Sequence, residues 1–312
     1  STRTKYKGIT QHGPESLRDT SYAVVRGMFD QATTERLAAI CDRVLTQWRR
    51  APRSDNPPAG PQANYMRHVN DPDYHRDHPD DLSFLLDALG SPKLVASIQT
   101  ALQEDFLFAL ASLYFNPTGE SEDGFWHKDK IGEEANVSKV PETGAGLQIQ
   151  IALGPTEDLE LVPGSHLRDY TEEEHAICIA DDGLHNRSNE MPGALRLSLE
   201  PGDAALFTQL CIHRGRYHTD ILRRTLMLSV KKRAAAEHSV RHRGLDYACD
   251  QPWFLLPGYL DGVSPEAQSF FQEFIDFYGP RWKARLTEMI KYSSLMLAML
   301  ESGENPFLDP PR

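Results

Sequence analysis

His127 and Asp129, in Phe125-Trp126-His127-Lys128-Asp129, together with His213 on a later apolar segment, are the residues of this chain best placed to do chemistry. Two histidines and one carboxylate can occupy one face of an octahedral iron(II) ion and leave the opposite face open for substrate and oxygen. The i, i+2 spacing suits an extended backbone, where alternate side chains point the same way, roughly 6–7 Å apart at their Cα atoms. His127 and Asp129 can then converge on one ion while Lys128 points elsewhere. His213 must arrive on a different strand, because adjacent residues cannot wrap a metal face. His-x-Asp alone is common by chance, so the surrounding elements must support it.

The surroundings of His213 do so. Pro201-Gly202-Asp203 reads as a turn, and Ala204-Ala205-Leu206-Phe207 as a short buried strand running towards His213. A polar loop, Arg214 to Asp220, follows, and a strand resumes at Arg223-Arg224-Thr225-Leu226-Met227-Leu228-Ser229-Val230. Arg224 shares a strand face with Leu226, Leu228 and Val230, because side-chain direction alternates with period two. An arginine on an inward apolar face is costly unless an anion meets it, and a guanidinium can clamp a carboxylate through two parallel hydrogen bonds. The pattern predicts a metal site beside a carboxylate site. Arg223 is the alternative to Arg224, since one residue of loop length exchanges them.

With these residues in view, the chain resembles the phytanoyl-CoA dioxygenase family of iron(II)- and 2-oxoglutarate-dependent oxygenases. Four stretches carry the likeness: Tyr22–Phe29 and the helix after it, Trp126-His127-Lys128-Asp129, Leu161-Val162-Pro163-Gly164-Ser165-His166, and Pro201 through His213 to Arg224. They follow the family's order over roughly residues 16 to 233. The resemblance implies a double-stranded β-helix, the cupin-like jelly roll, in a mainly β fold with flanking helices (α+β). It implies His127, Asp129 and His213 as iron ligands, and Arg224 as partner of the distal carboxylate of 2-oxoglutarate. Many members carry a serine two residues after the second ligand histidine, where this chain has Gly215. Another hydroxyl or amide is then needed beside the cosubstrate, and Thr208, Tyr114, Gln148 and Gln150 are the candidates. Trp126, Lys130 and Gln150 are candidates for lining the substrate pocket. The implied cofactors are iron(II), 2-oxoglutarate and O2. The implied reaction is oxidation of a C–H bond of a small molecule, chiefly hydroxylation, with release of succinate and CO2. The retained carboxylate Asp129 separates the chain from related halogenases, in which chloride takes that position.

Composition agrees. A chain of 312 residues, 40% hydrophobic, can bury a full core as one domain. We expect a helical N-terminal part over about 16–105, a β core over about 106–233 and a helical extension over about 234–312. Strands are expected at Phe106–Phe115, Leu147–Leu153, Leu159–Val162, Leu195–Leu199, Ala204–Thr208 and Arg224–Val230, a pattern that favours a sandwich or jelly roll. A formal net charge of −12 argues against nucleic acid as a partner. The basic group His238, Arg241, His242 and Arg243 reads as a solvated patch. No apolar run is long enough to span a membrane, and no secretory signal stands at the start. Cys41, Cys178, Cys211 and Cys249 are scattered without a C-x-x-C pair, as for free thiols in the cytoplasm. Ser294–Leu300 is apolar nearly all round, which implies burial against the β core or, alternatively, a homodimer through the C-terminal helices.

Bland roles suit most other singled-out residues. His166 reads as a structural turn residue, His218 as a loop residue, and Asp123 and Asp203 as turn acids. Two further functions compete with the oxygenase: a cupin-like metal enzyme that does not use 2-oxoglutarate, and a non-catalytic binding member of the fold. The loops over 50–80, 130–146 and 166–195 are expected to set substrate choice. The last is acidic, which disfavours a CoA ester beside it.

Overall fold

The computed structural model describes residues 12–51, 60–129, 137–244 and 248–290, with side chains to residue 285. Among the described residues ten strands form the core: β1 (Tyr22–Val25), β2 (Tyr65–Arg67), β3 (Phe106–Phe115), β4 (Glu122–Asp123), β5 (Gly146–Ala152), β6 (Leu159–Leu161), β7 (Leu195–Arg196), β8 (Ala204–Thr208), β9 (His213–Tyr217) and β10 (Arg224–Lys232). Around them lie α1 (Leu17–Thr20), α2 (Gln31–Arg50), α3 (Pro79–Leu89), α4 (Pro92–Leu102), α5 (Glu172–Cys178), α6 (Ala180–Gly183), α7 (Arg233–Arg243) and α8 (Pro265–Ile290). Every strand pairing is antiparallel. A six-stranded sheet in the order β1-β8-β5-β10-β3-β2 faces a four-stranded sheet in the order β4-β9-β6-β7. This is the jelly roll that the resemblance implies and one of the two arrangements the strand pattern favours.

The large sheet has two buried faces of different character. Leu226, Leu228 and Val230 of β10 align with Ile151, Ile149 and Leu147 of β5 and belong to the main apolar core. Helices supply the rest of that core. Asp30 caps α2 by accepting from the Thr33 amide, and Leu37, Ile40, Cys41, Val44, Leu45 and Trp48 form its buried stripe. In α8, Phe271 and Phe274 meet Phe108 of β3 with ring centroids 5.3 and 5.0 Å apart. Each such side chain, fully buried, contributes about 1.5–3 kcal/mol. The opposite face of the large sheet looks into the interior of the roll, between the two sheets.

Two elements differ from expectation. Arg214–Tyr217 is not a polar loop but most of β9, paired to β6 and β4. Its arginines point away from the interior of the roll into largely buried ion pairs, Arg214 with Glu160 and Arg216 with Asp123, so a strand whose covered outer face is charged escapes a search for apolar alternation. The expected strand Leu195–Leu199 is only Leu195–Arg196, plus one bridge from Leu199 to Thr156.

All four cysteines are free and buried. Among the described residues no helix is long and apolar enough to cross a membrane. The α8 aromatics are spent on the core, while Ser294–Leu300, the stretch behind the dimer expectation, lies outside the described residues. So do residues 52–59 and 130–136 of the expected substrate loops, and Lys130 with them.

Candidate metal centre

His213 opens β9, where it aligns with Leu161 of β6 on one side and bridges to His127 on the other. The His127 amide donates to the His213 carbonyl (3.1 Å), and the His213 amide returns a bond to His127 (2.9 Å). Directly opposed residues of an antiparallel pair put their side chains on one face. The two imidazoles therefore stand together, with centroids 4.4 Å apart. The chain continues alongside, the Asp129 amide donating to Gln209 (3.0 Å), and the period-two alternation returns Asp129 to the same side. Its Oδ1 lies 3.3 Å from Nε2 of His127 and 3.8 Å from Nε2 of His213. The three ligand atoms all lie within 4.8 Å of one another.

The donor set fits a divalent transition metal. Ligands bound at about 2.1 Å and at right angles stand about 3 Å apart, close to the separations seen here. Nδ1 of His127 donates to the Phe125 carbonyl and Nδ1 of His213 to the Cys211 carbonyl, each at 2.8 Å. Carbonyls only accept, so each ring carries a proton on Nδ1 and turns Nε2 to the centre, where the neutral ring has a lone pair free to bind a metal. Burial pushes the His213 pKa down, favouring the neutral ligand form. At His127 burial also opposes the charge, but the Asp129 hydrogen bond outweighs it and the pKa rises. Burial raises the Asp129 carboxyl, yet its bond with His127 and the nearby His213 hold it below the usual range. Gln148 Nε2 donates to Asp129 Oδ2 at 2.7 Å and leaves Oδ1 facing the histidines. That is the outer support a metal carboxylate needs.

The Pro163–His166 turn braces both segments that carry the candidate ligands. Ser165 Oγ accepts from the Ile212 amide (2.8 Å), immediately before His213, and the Ser165 carbonyl accepts from Lys128 Nζ (2.7 Å), between His127 and Asp129. His166 donates from Nε2 to the Arg18 carbonyl (2.7 Å), and His218 bonds Asp123 (3.0 Å), so both lie outside the triad.

The interior face of the large sheet carries the remaining polar groups. Gln150 aligns with Met227 and Ala205, and Tyr114 with Thr225, all on that face. Arg223 shares the face with Thr225, is 2% exposed, and lies over the rings of Tyr114 (5.1 Å) and Tyr217 (4.9 Å). Its Nε faces Asp158 Oδ2 at 3.4 Å and its Nη1 donates to the Arg216 carbonyl at 3.2 Å. Nη2 has no hydrogen-bond partner among the described residues.

Three sequence expectations change. Arg224 points the other way, to the helical side, where it pairs with Asp42 of α2. The face it shares with Leu226 and Leu228 is apolar because helices cover it, not because it lines the roll. Thr208 aligns with Leu147 on that same helical face, and its Oγ1 accepts from the Leu210 amide (3.3 Å), away from the interior. Trp126 is packed behind the triad rather than in a pocket: it is 1% exposed, donates to the Ser188 carbonyl (2.8 Å) and lies under the Arg214 guanidinium (4.5 Å). The neighbouring Phe125, not singled out from sequence, is the ring at the mouth, 48% exposed and 4.6 Å from His127. Its i, i+2 relation to His127 was the available signal.

Comparison with known proteins agrees with this geometry. The family model for phytanoyl-CoA dioxygenase (PhyH) matches residues 18–225. No curated protein sequence matches the chain. Among solved structures, the chain is similar to AviO1 from Streptomyces viridochromogenes Tue57, at 19% identity over 71% of this chain and 94% of that one, with a TM-score of 0.52. It is similar to SnoK, a non-haem alpha-ketoglutarate-dependent carbocyclase from nogalamycin biosynthesis, at 16% identity over 72% and 85%, TM-score 0.51. It is also similar to EctD from S. alaskensis, solved with 2-oxoglutarate and 5-hydroxyectoine, at 18% identity over 73% and 79%, TM-score 0.51. At these identities the three structures share the fold. The matched segment begins before β1, contains all three metal-ligand candidates and ends in β10, so the chain belongs to the phytanoyl-CoA dioxygenase family of iron- and 2-oxoglutarate-dependent oxygenases.

Proposed function

We propose that this protein uses iron(II) and 2-oxoglutarate to hydroxylate a C–H bond of a small-molecule metabolite or natural product in the cytoplasm. The observation that carries the reading is the pairing of two sites in one interior. The His127-Asp129-His213 triad sits at the mouth of the roll, and Arg223 is buried on the interior face with an unpartnered nitrogen. With iron and 2-oxoglutarate bound, O2 would be the oxidant, one oxygen atom going to the substrate C–H bond and the other to the succinate that leaves with CO2. The residues of the chain bind, orient and exclude water. His127, Asp129 and His213 would hold one face of the metal, with Gln148 fixing the carboxylate. Arg223 would hold the distal carboxylate of the 2-oxo diacid, between the walls of Tyr114 and Tyr217. Gln150 and the Phe125 ring at the mouth would meet substrate. The description of SnoK as a carbocyclase makes ring closure the second outcome to look for on this fold.

Anaerobic titration of the apoprotein with iron(II) and then 2-oxoglutarate tests the reading. A visible charge-transfer band that saturates with 2-oxoglutarate and is lost in Asp129→Ala is expected. Bound metal and a folded protein without that band would bring the cupin-like enzyme forward instead.

A further inference from the structure

Gly124 and Gly215 lie against each other where β4 and β9 meet, the Gly124 amide donating to the Gly215 carbonyl at 2.8 Å. Neither has room for a side chain. A Cβ on Gly124 would stand 2.5 Å from the Gly215 carbonyl oxygen and 3.3 Å from Cε2 of Tyr217. A Cβ on Gly215 would stand 2.5 Å from the Tyr217 hydroxyl oxygen and 2.8 Å from its Cζ. The two glycines thus clear a slot for one ring. Residues 213, 215 and 217 share the interior face of β9, so Tyr217 doubles back along its own strand over Gly215. That carries its hydroxyl towards His213 by about one residue pair, roughly 7 Å.

The same ring lies against the guanidinium of Arg223 (4.9 Å), with Tyr114 on the guanidinium as well and the two phenol rings 6.4 Å apart. The Tyr217 hydroxyl has no hydrogen-bond partner among the described residues, and neither has Nη2 of Arg223. A buried cation and a phenol, both with donors to spare, converge on the stretch of interior that leads to the triad. Neutral phenol and guanidinium are both donors, and an ionised carboxylate accepts from both. Gln148, by contrast, is already committed to Asp129.

We infer that the Tyr217 hydroxyl donates a hydrogen bond to the distal carboxylate of the 2-oxo diacid, and that Gly215 and Gly124 are glycines because that ring must lie across them. The inference rests on the reading under Proposed function. Tyr217 is a cosubstrate-binding residue: it holds the distal end of the 2-oxo diacid and does not touch the reacting atoms.

The test follows the charge-transfer band anaerobically with two 2-oxo acids. 2-Oxoglutarate has the distal carboxylate, and 2-oxobutyrate has only the chelating end. In Tyr217→Phe the 2-oxoglutarate midpoint should rise about tenfold to a hundredfold, as for loss of a hydrogen bond to a charged group, while the 2-oxobutyrate midpoint stays unchanged. Gly215→Ser should weaken binding alone, because its Cβ meets the phenol, yet should improve 2-oxoglutarate binding when added to Tyr217→Ala, where the ring is gone. An unchanged 2-oxoglutarate midpoint in Tyr217→Phe overturns the inference, as does equal weakening of both acids, which marks a purely structural ring. The unaltered protein is titrated first. If it gives no band, the functional reading itself has failed and the inference falls with it.

Discussion

Replacing Arg223 and replacing Arg224 should have opposite consequences, although the residues are adjacent and chemically identical. Arg223 is 2% exposed and faces Asp158, whose side chain is 7% exposed, at 3.4 Å. Removing one partner of a buried ion pair costs about 3–5 kcal/mol, so Arg223→Met alone would confuse folding with binding. Arg223→Met/Asp158→Asn removes both charges and keeps the shape. Truncating a buried, hydrogen-bonded charge that meets a ligand carboxylate costs about 2–5 kcal/mol, or about thirtyfold to several-thousandfold in the 2-oxoglutarate dissociation constant. Arg224 pairs with an Asp42 side chain that is 52% exposed. Arg224→Met should therefore cost at most about 1 kcal/mol of stability and leave 2-oxoglutarate binding unchanged. Anaerobic titration of the iron(II)-loaded proteins, with thermal melts alongside, reads both quantities. A large loss of 2-oxoglutarate affinity in Arg224→Met, with none in the Arg223 double variant, would refute the assignment of the interior face.

Further outcomes follow from the same structure. Gln148→Leu removes the donor to Asp129 and should weaken iron(II) binding about tenfold to a hundredfold, read by competition with a chelating dye. Iron(II) at a hundred times its dissociation constant should stabilise the fold by about 2.7 kcal/mol in an anaerobic melt, and Asp129→Ala should abolish the gain. The buried pair Glu104–Lys232 (2.8 Å) ties the start of β3 to the end of β10, with Ser138 and the Lys139 amide also donating to Glu104. Burial opposes the Glu104 charge, but the bonds from Lys232 and Ser138 outweigh it and hold its pKa at about 2. Burial lowers the Lys232 pKa, which offsets part of that gain, but the several donors to Glu104 keep the net effect stabilising. A carboxylate with a depressed pKa stabilises the fold above its unfolded value, about 4.5, and loses that contribution as pH falls towards 2. Glu104→Gln should therefore lower stability by about 2 kcal/mol at neutral pH, with the gap to the unaltered protein closing below pH about 4.5.

Much of this protein could be read along the chain. His-x-Asp on extended backbone, a distant histidine after an apolar strand and the Pro-Gly-Ser-His turn are local patterns, and the structure gives each a local cause. Alternation turns His127 and Asp129 to one side, and Ser165 ties down both segments that carry the candidate ligands through bonds to Lys128 and Ile212. The major strands β3, β5, β8 and β10 were legible because apolar and β-branched runs between turn residues have few other uses.

What the sequence by itself determined was which side chains share a strand face: Arg224 with Leu226 and Leu228, Arg223 with Thr225 and Met227. Which face looks into the roll was decided only in three dimensions. A central strand of the large sheet is buried on both sides, so burial no longer marks the interior. Helices α2 and α8 cover the apolar face, while the face towards the metal centre carries Gln148, Gln150, Tyr114 and Arg223. The equation of apolar with inward therefore ran backwards at Arg224. The doubling back of Tyr217 over Gly215 was equally hidden, because it depends on Gly124 arriving from β4, ninety-one positions away in sequence. Period two sets direction relative to neighbours, and only the packing of sheet on sheet and helix on sheet assigns that direction to a site.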